Sequence, residues 1–139
     1  MNKVIIVGCG RVGSKMAIDL NNQGYKVTVI DRDPLALRKL DDVFTGNKIV
    51  GTGIDEEVLI NAGIEKASAL ITVAKGDNTN IMVGQISKFI FNVPKVILRI
   101  VDPKCKKFYE EKIGMICYCQ TEVSVNSYIK LLKGEEICI

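Results

Sequence analysis

An apolar run, Val4-Ile-Ile-Val7, passes without a break into three glycines spaced as Gly8-Cys9-Gly10-Arg11-Val12-Gly13. Four consecutive apolar residues ended by glycine read as a strand buried on both faces. Val12, Met16, Ala17 and Leu20 then recur at helical spacing, with Gly24 as a C-terminal stop. A strand with two apolar faces has to be covered from both sides, which restricts the chain to a layered architecture.

The rest of the sequence repeats that unit. Val27-Thr-Val-Ile30 is a second strand ending at Asp31, and Asp33-Pro34 has the form of an N-cap followed by proline at the first helical position. Leu37, Leu40 and Phe44 supply the apolar face of the helix expected there. Lys48-Ile-Val50 is a short third strand leading into Gly51-Thr52-Gly53, and Asp55 caps a helix carrying Val58, Leu59 and Ala62 as far as Gly63. Further strands are expected at 69–73, 96–100 and 115–119, and helices at 77–91, after Asp102-Pro103, and at 122–132. Gly84, inside the first of these helices, costs about 1 kcal/mol against alanine. Alternation of this kind implies parallel strands joined by right-handed crossovers. The expected fold is α/β: a three-layer Rossmann fold with a six-stranded doubly wound parallel sheet in the order 3-2-1-4-5-6. No linker, repeat or low-complexity stretch interrupts residues 1–139, so one nucleotide-binding domain is expected.

The glycine spacing alone marks many turns, but here a strand precedes it, a helix follows it and a second strand ends in an acid. Asp31 follows Gly13 by 18 residues, close to the offset of about 20 expected for a ribose-binding acid. Gly8 permits the tight turn, Gly10 lets backbone amides approach a diphosphate, and Gly13 lets the helix pack close to the sheet. Cys9 suits its place by small size. The helix N-terminus offers free N–H groups and partial positive charge to phosphate oxygens. The Asp31 carboxylate can accept both ribose hydroxyls and would repel a 2′-phosphate, which favours NAD(H) over NADP(H); Arg32 beside it weakens that exclusion or stacks on adenine.

Composition narrows the function further. The net charge of +3, from 19 Lys+Arg against 16 Asp+Glu, is too small and too dispersed to indicate a nucleic-acid partner. No apolar run approaches the roughly 18 residues of a membrane span, and no targeting segment stands at the N-terminus, so a cytoplasmic protein is expected. With no histidine and five cysteines lacking CxxC spacing, neither a Cys/His metal site nor a disulfide framework is expected. Cys117 and Cys119 stand two apart on one strand and read as small core residues.

From here the residues carry a family likeness. Val4–Gly13 with Val29-Ile-Asp-Arg-Asp33, then Gly51-Thr-Gly-Ile-Asp55, Leu59-Ile-Asn-Ala-Gly-Ile64, Ala67-Ser-Ala-Leu-Ile-Thr-Val73, Asp77-Asn-Thr-Asn80, Val96-Ile-Leu-Arg99 and Lys112-Ile-Gly114 resemble the N-terminal half of RCK/KTN domains. These are regulatory parts of Trk/Ktr potassium-uptake systems. The resemblance covers essentially the whole chain. It implies that Thr52 and Gly53 border the adenine, and that Val73, Ala74 and Lys75 line the middle of the crevice. Asn78 and Asn80 open the next helix, as ligand contacts or as caps. Arg11 and Arg99 are the basic residues within reach of terminal phosphates, as in ATP- or ADP-binding members. An arginine amid Val96, Ile97, Leu98, Ile100 and Val101 needs an anionic partner when buried, either a ligand phosphate or a local carboxylate.

There are departures. Thr52 stands where many members have an acid, and Thr121-Glu122 replaces a Pro-Glu pair. Glu122 then serves near a phosphate-bound metal, at a dimer neighbour or as a helix-start residue. The second, C-terminal ligand domain of full regulatory subunits is not expected within 1–139.

A dehydrogenase needs a substrate region and a proton-transfer group, and no histidine or Lys/Tyr pair in catalytic spacing supplies one. The expectation is therefore a non-enzymatic regulator that binds NAD(H) or ATP/ADP. Its occupancy would gate a membrane-embedded potassium transporter or channel, with the protein held peripherally at the inner face of the plasma membrane. The alternative is an NAD-dependent oxidoreductase domain lacking its substrate domain. A homodimer or larger ring is expected, with Val125, Tyr128, Ile129 and Leu132 forming either the dimer face or the side that packs on the domain's own sheet.

Overall fold

The computed structural model describes residues 2–40 and 42–137. Six strands form one sheet: β1 (Lys3–Val7), β2 (Lys26–Asp31), β3 (Asn47–Val50), β4 (Ala69–Thr72), β5 (Lys95–Arg99) and β6 (Ile116–Tyr118). Their order is β3-β2-β1-β4-β5-β6, and every neighbouring pair is parallel. The helices are α1 (Arg11–Asn22), α2 (Glu56–Asn61), α3 (Asp77–Gln85), α4 (Pro103–Phe108) and α5 (Gln120–Leu132). The doubly wound Rossmann architecture expected from the alternation is the one observed.

Strand pleating sorts β1 between two cores. Ile5 and Val7 join Ile30, Leu59, Leu70, Val83 and Leu98 on one face. Val4 and Ile6 join Ala17, Val29, Leu37 and Leu40 on the other. Both faces being covered, the central strands are apolar at nearly every position.

Three local expectations change. The helix foreseen after Asp33-Pro34 is only a 3-10 turn, Ala36–Lys39. Asp33 Oδ1 accepts Leu35 N at 2.9 Å, and the chain turns extended at Leu40. Leu37, Leu40 and Phe44 are nevertheless buried. The helix at 77–91 is α-helical to Gln85 and continues as a π-helical segment, Ile86–Ile90. Its Gly84 is explained by packing, because a Cβ there would stand 2.8 Å from Leu98 Cδ2. The final helix starts two residues earlier than expected and buries none of its side chains.

Reversal of the winding between β1 and β4 opens a crevice at the carboxyl ends of these strands, the place where open α/β sheets take ligands.

Candidate functional site

Gly8 ends β1 at φ +102°, where an added Cβ would lie 2.8 Å from the Val73 carbonyl and the Ala74 nitrogen. At Gly13 a Cβ would collide with the Gly8 carbonyl oxygen. The two glycines thus let strand, helix and the loop after β4 close on one another. Above Gly10, by contrast, a Cβ would meet nothing within 4 Å, so the approach to the start of α1 is open. No side chain caps that helix and no acid stands in its first turn. Its first amide groups and the positive end of its dipole are left for an anion.

Asp31, at the end of β2, is held by the glycine loop. Its Oδ2 accepts Cys9 N and its Oδ1 accepts Asp33 N, each at 2.8 Å. A carboxylate oxygen has two lone pairs, so both oxygens keep acceptor capacity for a ribose. Cys9 is fully buried and packs into the core beside Ala17 and Leu37. Burial pushes its thiol pKa up, the Asp31 charge adds to this, and Lys39 and Lys48 pull the other way.

The other expected residues divide into those at the crevice rim and those that build it. Arg11, Arg32, Lys75 and Asn78 are exposed, and Val12 is apolar yet 42% exposed beside the open approach. Thr52 and its glycines follow β3; Gly53 packs where a Cβ would stand 2.8 Å from Val7 Cγ1. Val73 and Ala74 are half-buried at the end of β4.

Of the two partners expected for Arg99, the local carboxylate is not found among the described residues and backbone carbonyls take its place. Its Nη2 donates to the carbonyls of Val73 at 2.9 Å and Ala74 at 3.0 Å, and among the described residues it has no carboxylate partner. Asn80 holds the same loop from the other side. Its Oδ1 accepts Ala74 N at 2.9 Å and the Thr72 hydroxyl at 2.7 Å, while its Nδ2 donates to the Ala74 and Arg99 carbonyls. Asn80 is 1% exposed, and these four bonds use its full capacity. Asn80 is therefore a clamp within the fold rather than a cap or a rim residue.

Two contributors were missed from the sequence. Asp77 reaches across to accept Val101 N at 2.8 Å and Asp102 N at 3.1 Å, tying the start of α3 to the loop after β5. Lys39 sets its ammonium 3.4 Å from the Cys9 carbonyl, at the glycine loop. Lys39 lies on the 3-10 turn Ala36–Lys39 and stays exposed while its ammonium reaches the loop. Glu122 pairs with Lys106, Oε2 to Nζ at 3.4 Å, and Lys106 also pairs with Glu110 at 3.1 Å. Cys117 and Cys119 are both buried, though only Cys117 lies in β6, Cys119 standing just before α5.

Comparison with known proteins puts names beside this geometry. The Trk system potassium uptake protein TrkA of Streptomyces coelicolor is 44% identical over 107 residues, which cover 77% of this chain and 48% of that protein. The chain thus spans about half the length of the curated relatives it matches. The TrkA-N domain of the inner membrane protein ybaL from Escherichia coli superposes with a TM-score of 0.80 at 20% identity, covering 94% of this chain and 96% of that one. The NAD-bound GsuK channel superposes with a TM-score of 0.79 at 22% identity, over 96% of this chain and 23% of that chain. At such identities the two structures speak for the fold. The TrkA-N domain model matches residues 4–118, from the first strand to the last, and the chain belongs to the TrkA-N domain family.

Proposed function

We propose that residues 1–139 act as one nucleotide-sensing domain of a potassium-uptake system, binding NAD(H) in the crevice between β1, β2 and β4. The observation that carries this reading is the uncapped start of α1, open above Gly10, with Asp31 fixed beside it by the Cys9 amide. In this reading the amides of Arg11, Val12 and Gly13 hold the diphosphate and Asp31 holds the adenosine ribose. Thr52 and Gly53 border the adenine. Val73, Ala74 and Lys75 form the wall beyond the diphosphate, with Asn78 and Arg11 at the rim. Arg99 acts as a positioning residue for that wall. ATP or ADP would use the same diphosphate and ribose contacts and leave the far half of the crevice empty.

Regulation needs a partner and two arrangements that the ligand tells apart. The partner proposed is a membrane-embedded potassium transporter or channel, in line with the relatives' names. No helix among the described residues is long and apolar enough to cross a membrane. A second copy of the chain is proposed against α5 and the bare sheet face beside it. Tyr128 is 74% and Leu132 86% exposed, and Ile116 and Tyr118 on β6 are also open. A role without turnover accounts for a crevice furnished for binding.

A thermal-shift screen with NAD+, NADH, ATP and ADP tests the ligand. A ligand present at 100 times its Kd stabilises the native state by about 2.7 kcal/mol, so the preferred one stands apart. Asp31→Ala is expected to weaken that ligand about tenfold or more, the loss of roughly 1.5 kcal/mol from hydrogen bonds to a charged group. Unchanged affinity by calorimetry removes Asp31 from the ribose site. Oxidation of bound NADH by an added acceptor, at a rate dependent on the chain, would favour the oxidoreductase alternative.

A further inference from the structure

At the end of the sheet opposite the glycine loop lies a cleft of about 510 Å3, lined by Lys3, Lys26 and Lys66 with Thr28, Thr45 and Asn47 among the other polar groups. Among the described residues no carboxylate lines it. Its lining comes mainly from the amino ends of β1, β2 and β3 and the loops leading into them. Lys26 and Asn47 are accordingly exposed.

Lys3 and Lys26 are paired positions in the β1–β2 register. Parallel neighbours stand about 4.8 Å apart, and like charges facing each other across strands are destabilising. Among the described residues neither lysine has an ion pair, nor does Lys66. Lys3 does not swing free: its Nζ occupies the space that a side chain on Gly63 would take, over the left-handed turn that ends α2. Thr28 is 2% exposed, lines the same cleft, and makes no side-chain hydrogen bond within the described chain. Ammonium groups without carboxylate partners lining one cleft, with hydroxyl and amide groups beside them, match an anion carrying several acceptor oxygens and more than one charge. Phosphate has both properties, and lysine binds it as a point charge.

We propose that this cleft is a second binding site, separate from the nucleotide crevice, for a phosphate-bearing anion. The amide resonances of the 139-residue chain, titrated with inorganic pyrophosphate, test it. Saturable shifts are expected at Lys3, Lys26, Thr28 and Asn47, and Lys26→Glu should weaken them about tenfold or more. Lys66→Gln provides a second reading if Lys26→Glu alters thermal unfolding. Shifts confined to residues 8–13, no saturable shift, or equal affinity in a folded variant overturns the proposal. Two sources are then separated by sedimentation with vesicles. Capture by phosphatidylglycerol and not phosphatidylcholine, lost in the variant and displaced by pyrophosphate, assigns a lipid headgroup. Pyrophosphate binding without vesicle capture assigns a soluble phosphate compound.

Discussion

In α1 the residues Gly13, Ser14 and Ala17 are buried against the sheet, whereas α5, one residue longer, buries nothing. The strands that feed them differ in the same sense. β1 is buried from Val4 to Val7, while β6 leaves Ile116 and Tyr118 open on either side of the buried Cys117. Both helices carry apolar residues, and both follow a strand of one parallel sheet. The difference is in what receives them. α1 lies in a groove cut to backbone dimensions by glycines; α5 has an apolar side that none of the described residues buries. One βα unit buries its helix against the sheet, and the other leaves its helix uncovered among the described residues.

Breaking the first unit has the largest expected effect. Gly13→Ala drives a methyl group into the Gly8 carbonyl, and overpacking of this kind costs about 3 kcal/mol when the obstacle is backbone. Urea unfolding measures it; a loss below about 0.5 kcal/mol, the range of ordinary surface changes, would show that the loop yields and that the tight fit of α1 is not what distinguishes the units.

A smaller effect separates the units by pH. Burial, with the Glu110 charge adding, pushes the Cys117 thiol of β6 up to about 11 from an ordinary value of 9.0. Because the folded value is the higher one, the unfolded chain loses its proton first as pH rises. The stability tied to Cys117 is thus whole below pH 9 and is lost progressively between pH 9 and about 11. Thermal unfolding across that interval should fall more steeply in the parent than in Cys117→Ala. Parallel curves would mean that Cys117 ionises freely and that β6 is looser than its burial implies.

The smallest effect is expected at the open unit. Tyr128→Ser with Leu132→Ser should change unfolding by less than about 0.5 kcal/mol at high dilution, as for exposed positions. At concentrations where copies associate, the same pair should lower the measured mass in light scattering. A large loss at high dilution would show that α5 folds back onto its own sheet, and the comparison would fail.

Much of this was legible in the residues. Central strands betray themselves by apolar positions on both faces, as in Val4 to Val7, and turns by glycines that nothing else can replace. The crevice rim followed from the spacing of Gly8, Gly10, Gly13 and Asp31. What escaped was long-range and polar. Leu37 and Leu40, three apart, suit a 3-10 turn as well as an α-helix, so the missing helix left no trace in the pattern. For Arg99 the sequence offered a phosphate or a carboxylate, and nothing in it pointed to the two carbonyl oxygens 25 and 26 residues away that accept from it. Asn80 looked like one more polar residue at a helix start until Thr72, Ala74 and Arg99 were seen around it. Such bonds depend on which loops meet, and periodicity carries no record of that.

The Arg99 arrangement also bears on how an anion finds the crevice. Two carbonyl oxygens accept from one end of the guanidinium without cancelling its charge, as a carboxylate would have done. The half-buried Arg99 at the end of β5 therefore brings a full positive charge to the loop after β4, held in place by neutral groups. For a phosphate about 10 Å away, at an effective dielectric constant of about 20, such a charge contributes on the order of 1–2 kcal/mol of attraction. No contact is required for this, so in the proposed reading the arginine would favour any phosphate entering the crevice, whichever nucleotide carries it.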